Sequence, residues 1–236
     1  MVKTGEPIVL KCFDIPTAYY ELNYAIWTRG VEWSVEAPYN QMSKALLNVV
    51  LHIEHPEIRP LRHPEAPVTE EYISLYAYTK LMTGEKEAGE TYTYGERLKR
   101  VKFMNVEIEY DQFQKALQKL KSSPSTRRAV LVISRPWDIE SMEPPCLREI
   151  QIWLEPPNFN VMHSSVFIRS WDAHRAANAN LGALQLMQEE LAGQLKAKTG
   201  SMTVFAANAH IYEDSYPIVE KWFKRRVEAK RFHVEE

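Results

Sequence analysis

The sequence predicts an α+β fold, a single domain over residues 1–236 built on one large mixed β-sheet with helices packed on one side. Apolar residues alternate at period two in some segments and recur at period 3.6 in others, without a strict strand–helix–strand order. No internal repeat or low-complexity stretch divides the chain. With 236 residues, 45% hydrophobic and 25% charged, the chain can bury one substantial core.

IVLKCF (8–13) reads as a short strand. In the following PTAYYELNYAIWTRG, Ile15, Tyr19, Leu22 and Ile26 share one helical face and Gly30 is the stop. ALLNVVLHIEHP is rich in β-branched residues and ends on a proline, as a strand does. HPEIRPLRHPEAP carries four prolines and reads as an irregular connection. VTEEYISLYAYTKLMTG predicts a helix, with Thr69 as N-cap and Gly84 just past its end.

DQFQKALQKLK places Phe113, Ala116, Leu117 and Leu120 on one helical face. An SPST turn then leads into RRAVLVISRPW, a strand, and LREIQIWLE and FNVMHSSVFIRS read as two more. ANLGALQLMQEELAGQL is a helix, SMTVFAANAHIY a strand, and Asp214 to Phe232 a closing amphipathic helix.

Composition narrows the function classes. A net charge of −2 gives no global attraction to nucleic acid or an anionic membrane. No apolar run approaches the ~18 residues of a membrane span, and MVKTGEPIVL lacks a signal-peptide core. Two cysteines, Cys12 and Cys146, fit a reducing compartment better than a disulfide framework, so the expected location is cytoplasmic. The basic run KWFKRRVEAKR reads as the solvated face of a helix. The histidines of HIEHPEIRPLRH match no common metal-ligand spacing, so no metal is expected.

Several residues could carry chemistry. Cys146 follows Pro144 and Pro145, so its thiol enters a strand from a stiff lead. A free cysteine is most often a buried small hydrophobe, and a nucleophile is the alternative. In FIRSWD, alternation puts His163, Ser165, Phe167 and Arg169 on one face; an arginine fork beside a serine suits a phosphate, or a surface ion pair. Asn180 shares a helical face with Ala183, Leu184, Met187 and Leu191, so its amide points inward, toward backbone partners or the edge of a base. His210 and Tyr212 lie on one strand face, and Arg127 and Arg128 follow the SPST turn.

The order YG, SPSTRR, PPC, RSxD, N and HxY, from Tyr94 to Tyr212, resembles the thymidylate synthase family in its shorter archaeal-type branch. The resemblance implies reductive methylation of dUMP to dTMP, with Cys146 as the thiolate that attacks C6. It implies that Arg169 and Ser170 hold the 5′-phosphate, joined by Arg127 and Arg128 from the other subunit of a sheet-to-sheet homodimer. Asp172 would help position pyrimidine and pterin, and Asn180 would read N3 and O4. His210 and Tyr212 would bind the 3′-hydroxyl, and Tyr94 is the tyrosine implicated in removing the C5 proton. The implied donor is 5,10-methylene-tetrahydrofolate or a methylene-tetrahydromethanopterin-type reduced pterin.

The chain also departs from the bacterial-type pattern. Leu147 stands where histidine is common, and Ala176 and Ala179 where glycine and phenylalanine line the folate site. No tryptophan occurs between Trp33 and Trp137, and 24 residues follow Tyr212, too few for the long closing segment of that type. For the glutamate that organises water near the pyrimidine, Glu54, Glu70 and Glu71 are the candidates. Two other readings are a dCMP hydroxymethylase of the same superfamily and a non-catalytic nucleotide-binding relative. Asn180 favours uracil over cytosine, and retention of Cys146 favours catalysis over binding alone.

Overall fold

The structure is a computed structural model that describes residues 5–35, 40–103 and 106–232. Eight strands form one mixed sheet: β1 (Ile8–Cys12), β2 (Val31–Val35), β3 (Gln41–Ile53), β6 (Val130–Val132), β7 (Leu147–Leu154), β8 (Val161–Ile168), β9 (Trp171–Asp172) and β10 (Lys198–Tyr212). The order is β1-β3-β10-β8-β7-β6, with β2 also on β3 and β9 also on β10. The pairs β1–β3, β8–β10 and β9–β10 run parallel and the others antiparallel. A separate two-stranded ribbon joins β4 (Arg100–Phe103) to β5 (Val106–Glu109).

Alternation decides which face is covered. Ile8, Leu10 and Cys12 of β1 point into the core, as do Met162, Ser164, Val166 and Ile168 of β8. Val9, Val130, Val132 and Phe205 stay exposed on the other face, which no helix among the described residues covers.

On the buried face, α1 (Ile15–Arg29) starts from an N-cap in which Asp14 accepts the Thr17 N–H at 2.8 Å, and Gly30 ends it. Its stripe of Ile15, Tyr19, Leu22 and Ile26 is fully buried. α5 (Ala177–Leu195) is buried on most of its circumference, because β8 and β10 lie on one side of it and α1, α2 (Glu70–Tyr76) and α4 (Gln112–Ser122) on the others. Gly182 permits the α2 contact: a Cβ there would sit 2.5 Å from Ile73 Cγ2. α4 buries Phe113, Ala116, Leu117 and Leu120 as its spacing predicts.

Several expectations need correction. The helix over 68–84 begins at its Thr69 cap, but after Tyr76 it widens into a π-turn, Ala77–Leu81, where the Met82 N–H reaches the Ala77 carbonyl at 2.9 Å. The strand expected over 127–137 pairs only at Val130–Val132. Beyond it the Ile133 and Ser134 N–H groups both bond the Arg148 carbonyl, a bulge that ends the ladder before a 3₁₀ turn at Pro136–Glu140. β3 begins at Gln41 rather than Ala45, and α6 (Tyr216–Phe232) starts after a 3₁₀ turn at Glu213–Ser215.

β2, the β4–β5 ribbon and the short helix α3 (Tyr94–Lys99) were not predicted. β2 and the ribbon carry exposed apolar residues such as Trp33 and Ile108, whose side chains do not follow the alternation of a half-buried strand. α3 is too short for a helical period, but Thr93-x-x-Glu96 is its start signal: Thr93 Oγ1 accepts the Glu96 N–H at 3.0 Å.

Candidate active site

The sheet delivers the thiol. Cys146 immediately precedes β7, and its carbonyl accepts the Arg169 N–H at 2.9 Å across from the end of β8. Because β8 ends at Ile168, Arg169 escapes the alternation that would have put it on the outer face with His163 and Phe167. Its guanidinium instead turns to the proline lead, with Nη2 donating to the Pro144 carbonyl at 2.6 Å and Nε to that of Pro145 at 3.2 Å. The rigid Pro-Pro step thus fixes both the thiol and the arginine.

Cys146 is half-buried. Burial raises its pKa overall, and the Arg169 and Arg148 charges draw it only partly back. Cys12, buried in β1 among acidic neighbours, is pushed up to about 12 by burial and carries no such cations. The two thiols therefore divide into a reactive candidate and a core residue. Arg148 sits in a bulge of β7 between Leu147 and Glu149, and donates to the Asp138 carboxylate at 3.4 Å and the Pro145 carbonyl at 3.3 Å.

Beside the thiol lies a narrow slot of about 10 Å³ lined by Tyr76, Leu81, Tyr94, Cys146, Asn180 and Leu184, among others. Three wider clefts share residues or an edge with it. A groove of about 850 Å³ carries Arg135, Arg148 and Arg169. A cleft of about 540 Å³ lies between Val68, Tyr72, Ala176, Ala179 and Ile218 and shares Tyr76 and Asn180 with the slot. A third, of about 300 Å³, shares Tyr76 and Tyr94.

Tyr94 is held at the first turn of α3. A Cβ on Gly95 would lie 1.8 Å from the Thr83 carbonyl, so the YG pair reflects a close backbone approach. Burial, with Tyr76 and Cys146 nearby, lifts Tyr94 well above the ordinary phenol range, and a backbone hydrogen bond from Leu147 draws it partly back. Tyr94 is therefore a neutral phenol at physiological pH, fitted to relay a proton rather than to act as a standing phenolate.

Asn180 points inward as predicted, and both ends of its amide are engaged. Oδ1 accepts the Trp171 indole N–H at 3.0 Å, and Nδ2 donates to the Tyr76 hydroxyl at 3.1 Å. Asp172 pairs in β9 with His210 of β10, and its Oδ1 accepts the His174 and Arg175 N–H groups at 3.1 and 2.9 Å. Burial raises its pKa against those bonds. Ser170 lies half-buried in the turn between β8 and β9.

His210 is 6% exposed, and burial with the Arg169 charge holds its pKa down to about 4. It is neutral at physiological pH. Its Nδ1 lies 3.0 Å from Asn208 Oδ1, so Nδ1 carries the proton and Nε2 is left as an acceptor for a hydroxyl. Tyr212 packs edge-on to this ring at 4.6 Å, with the Arg175 guanidinium 6.0 Å from its own ring.

Arg127 and Arg128 do not join this group within the chain. They are exposed at the far end of β6, where pairing with β7 runs from Val130–Gln151 to Val132–Glu149. At strand spacing that end lies about 20 Å from Cys146. Of the carboxylate candidates, Glu70 accepts the Arg62 N–H at 2.6 Å and Glu71 is exposed; neither they nor Glu54 line the slot. Tyr76, Arg148, Trp171 and Tyr92, which lines the third cleft with its ring 6.0 Å from that of Tyr94, were missed. The signals were a Tyr72–Tyr76 pair at helical spacing, Arg148 two positions after Cys146, Trp171 inside RSWD and Tyr92 two positions before Tyr94.

A sequence profile described as thymidylate synthase matches residues 71–234. The chain belongs to the thymidylate synthase family. It is 30% identical over 218 residues to a Methanopyrus kandleri protein named "Putative thymidylate synthase", covering 92% of this chain and 99% of that one. A Methanosarcina acetivorans protein of the same name is 29% identical, covering 92% and 94%. A Mycoplasma genitalium thymidylate synthase is 28% identical over 105 residues, 44% of this chain and 36% of its own length. Membership of the thymidylate synthase family makes this chain a methyltransferase of the class that pairs a pyrimidine nucleotide with a reduced folate or pterin one-carbon donor. No helix among the described residues is long and apolar enough to cross a membrane.

Proposed function

We propose that residues 1–236 form one thymidylate synthase-like domain that reductively methylates dUMP to dTMP through a covalent bond between Cys146 and C6. The carrying observation is the convergence of Cys146, Tyr94 and Asn180 on one slot, with Arg169 in the adjoining groove. The Cys146 thiolate adds to C6, and C5 becomes the nucleophile that accepts the one-carbon unit. Arg169 and Ser170 hold the 5′-phosphate, Asp172 positions pyrimidine and pterin, and Asn180 reads N3 and O4. His210, a neutral acceptor at Nε2, and Tyr212 take the 3′-hydroxyl. Tyr94 passes the C5 proton.

The donor, 5,10-methylene-tetrahydrofolate or a methylene-tetrahydromethanopterin-type pterin, supplies the one-carbon unit and the reducing equivalents. The mainly apolar cleft beside Tyr76 and Asn180 suits its flat ring, and Ala176 and Ala179 leave that wall shallow. The working unit is a cytoplasmic homodimer joined through the uncovered sheet face. Exposed Val9, Val130, Val132 and Phe205 support this, as does the distance of Arg127 and Arg128 from their own Cys146. Those two arginines then complete the partner's phosphate site.

Release of tritium from dUMP labelled at C5, tried with methylene-tetrahydrofolate and with methylene-tetrahydromethanopterin, tests activation and donor choice together. Release with one donor and formation of dTMP supports the reading. No release with either donor, from protein that binds dUMP, overturns it.

A further inference from the structure

We infer that Trp171 is a specificity-positioning residue: its indole N–H locks the Asn180 amide in the one orientation that matches uracil. This deepens the proposed function and rests on it. An indole N–H is a donor only, so the Asn180 atom facing it must be the carbonyl oxygen. The 3.0 Å bond from Trp171, which is 2% exposed, therefore fixes which end of the amide is which. The bond from Nδ2 to the Tyr76 hydroxyl at 3.1 Å agrees with that assignment but does not impose it, because a phenol can donate or accept.

With one bond made at each end, the amide keeps one lone pair on Oδ1 and one hydrogen on Nδ2. Uracil presents an N3–H donor and an O4 acceptor, the complement of that pair. Cytosine presents an unprotonated N3 and an N4 donor, so two-point pairing requires the amide reversed. Reversal would turn the Nδ2 hydrogens toward the Trp171 N–H, donor against donor in a buried place. Tyr76 tolerates the reversed amide by rotating its hydroxyl; Trp171 cannot. An asparagine that could otherwise serve either base is thereby committed to one, and leaving a buried donor unmet is penalised about tenfold or more.

The test measures dUMP and dCMP affinity in wild type and in Trp171→Phe, by competition with 5-fluoro-dUMP. Wild type should prefer dUMP, and Trp171→Phe should narrow the dUMP-to-dCMP ratio about tenfold. Tyr76→Phe leaves the lock in place and should hold the ratio within about threefold of wild type. If Trp171→Phe weakens both nucleotides equally and leaves the ratio unchanged, the residue only supports the fold and the inference is overturned. A wild type that prefers dCMP overturns the proposed function instead, which keeps the two failures apart. Wild-type protein labelled with ¹⁵N-tryptophan gives a reading that needs no substitution at this position. The Trp171 indole N–H, assigned by replacing the other tryptophans, should stay protected from exchange in the dUMP complex. Free exchange there sinks the lock.

Discussion

Replacing Asp138 with alanine should destabilise the fold by about 3–5 kcal/mol, because it breaks a buried ionic cluster on one side only. The residue is 2% exposed. It accepts from Arg97 Nη1 at 2.6 Å, from the Arg135 backbone N–H at 2.8 Å and from Arg148 Nη1 at 3.4 Å. The last contact is long, so Arg97 and the backbone donor carry most of the effect. The Arg97 side chain is itself 10% exposed and would be left charged and buried without this counter-ion. Asp138→Asn keeps an oxygen for the Arg135 N–H and should lose about half as much. At about 2–4 °C per kcal/mol for a chain of this size, the alanine variant should melt roughly 6–20 °C lower.

Urea unfolding of the three proteins at pH 7 gives the values, and acid adds a sign. Burial alone would raise the Asp138 pKa, but the Arg135 N–H and the charges of Arg97 and Arg148 outweigh it and hold the carboxyl below its usual range. A depressed folded pKa gives stability that is present above about pH 4 and lost as pH falls through the folded value. The gap between wild type and Asp138→Asn should therefore narrow below about pH 4. An alanine variant that loses less than about 1 kcal/mol, as an exposed pair would, refutes the reasoning. So does a gap that widens in acid.

Cys146→Ala should abolish covalent capture of 5-fluoro-dUMP while dUMP binding persists; a mass adduct on Cys12, or an unchanged adduct, counts against the assignment. Mixing Arg128→Ala chains with Cys146→Ala chains should restore part of the activity that each lacks alone. No recovery in demonstrated mixed dimers removes the case for a shared phosphate site. Gly182→Ala, which sets a methyl 2.5 Å from Ile73, should destabilise by about 1–3 kcal/mol in urea unfolding, and a neutral result would mean that α2 can shift freely.

Periodicity exposed the buried stripes of α1, α4 and β8, where burial falls on one side of a long regular element. It was silent where that condition fails. β2 buries no continuous stripe, Val101, Val106 and Ile108 of the β4–β5 ribbon are exposed, and the strand before Arg135 stops early because a bulge diverts two donors to one carbonyl. Within the site, Cys146 and Asn180 were legible because Pro-Pro and an inward helical face each constrain them locally; Arg169 was legible as a candidate but not in its direction, because β8 ends one residue before it. Arg127 and Arg128 were legible as a pair but not as distant, since distance along β7 depends on a register that no single segment encodes. Trp171 and Tyr76 meet Asn180 from 9 and 104 residues away, and no local pattern announces such a contact.

The widened turn at Ala77–Leu81 imposes an indexing rule on its segment. Each α-helical residue advances the side-chain direction by about 100°. Five residues of the widened turn cover about the rotation that four cover in an α-helix, so excising one residue from 78–80 would restore an ordinary ladder and leave Tyr76 facing the same way relative to Leu81. Inserting or removing a residue outside that turn, in 71–75, would instead rotate what precedes it by about 100° and carry the side chains before the change off their present face. A plain α-helix therefore superposes on this one on both sides of the turn only when the residue correspondence carries a one-place gap there. Without that gap, a side chain that faces the slot in one protein is matched to one that faces away in the other.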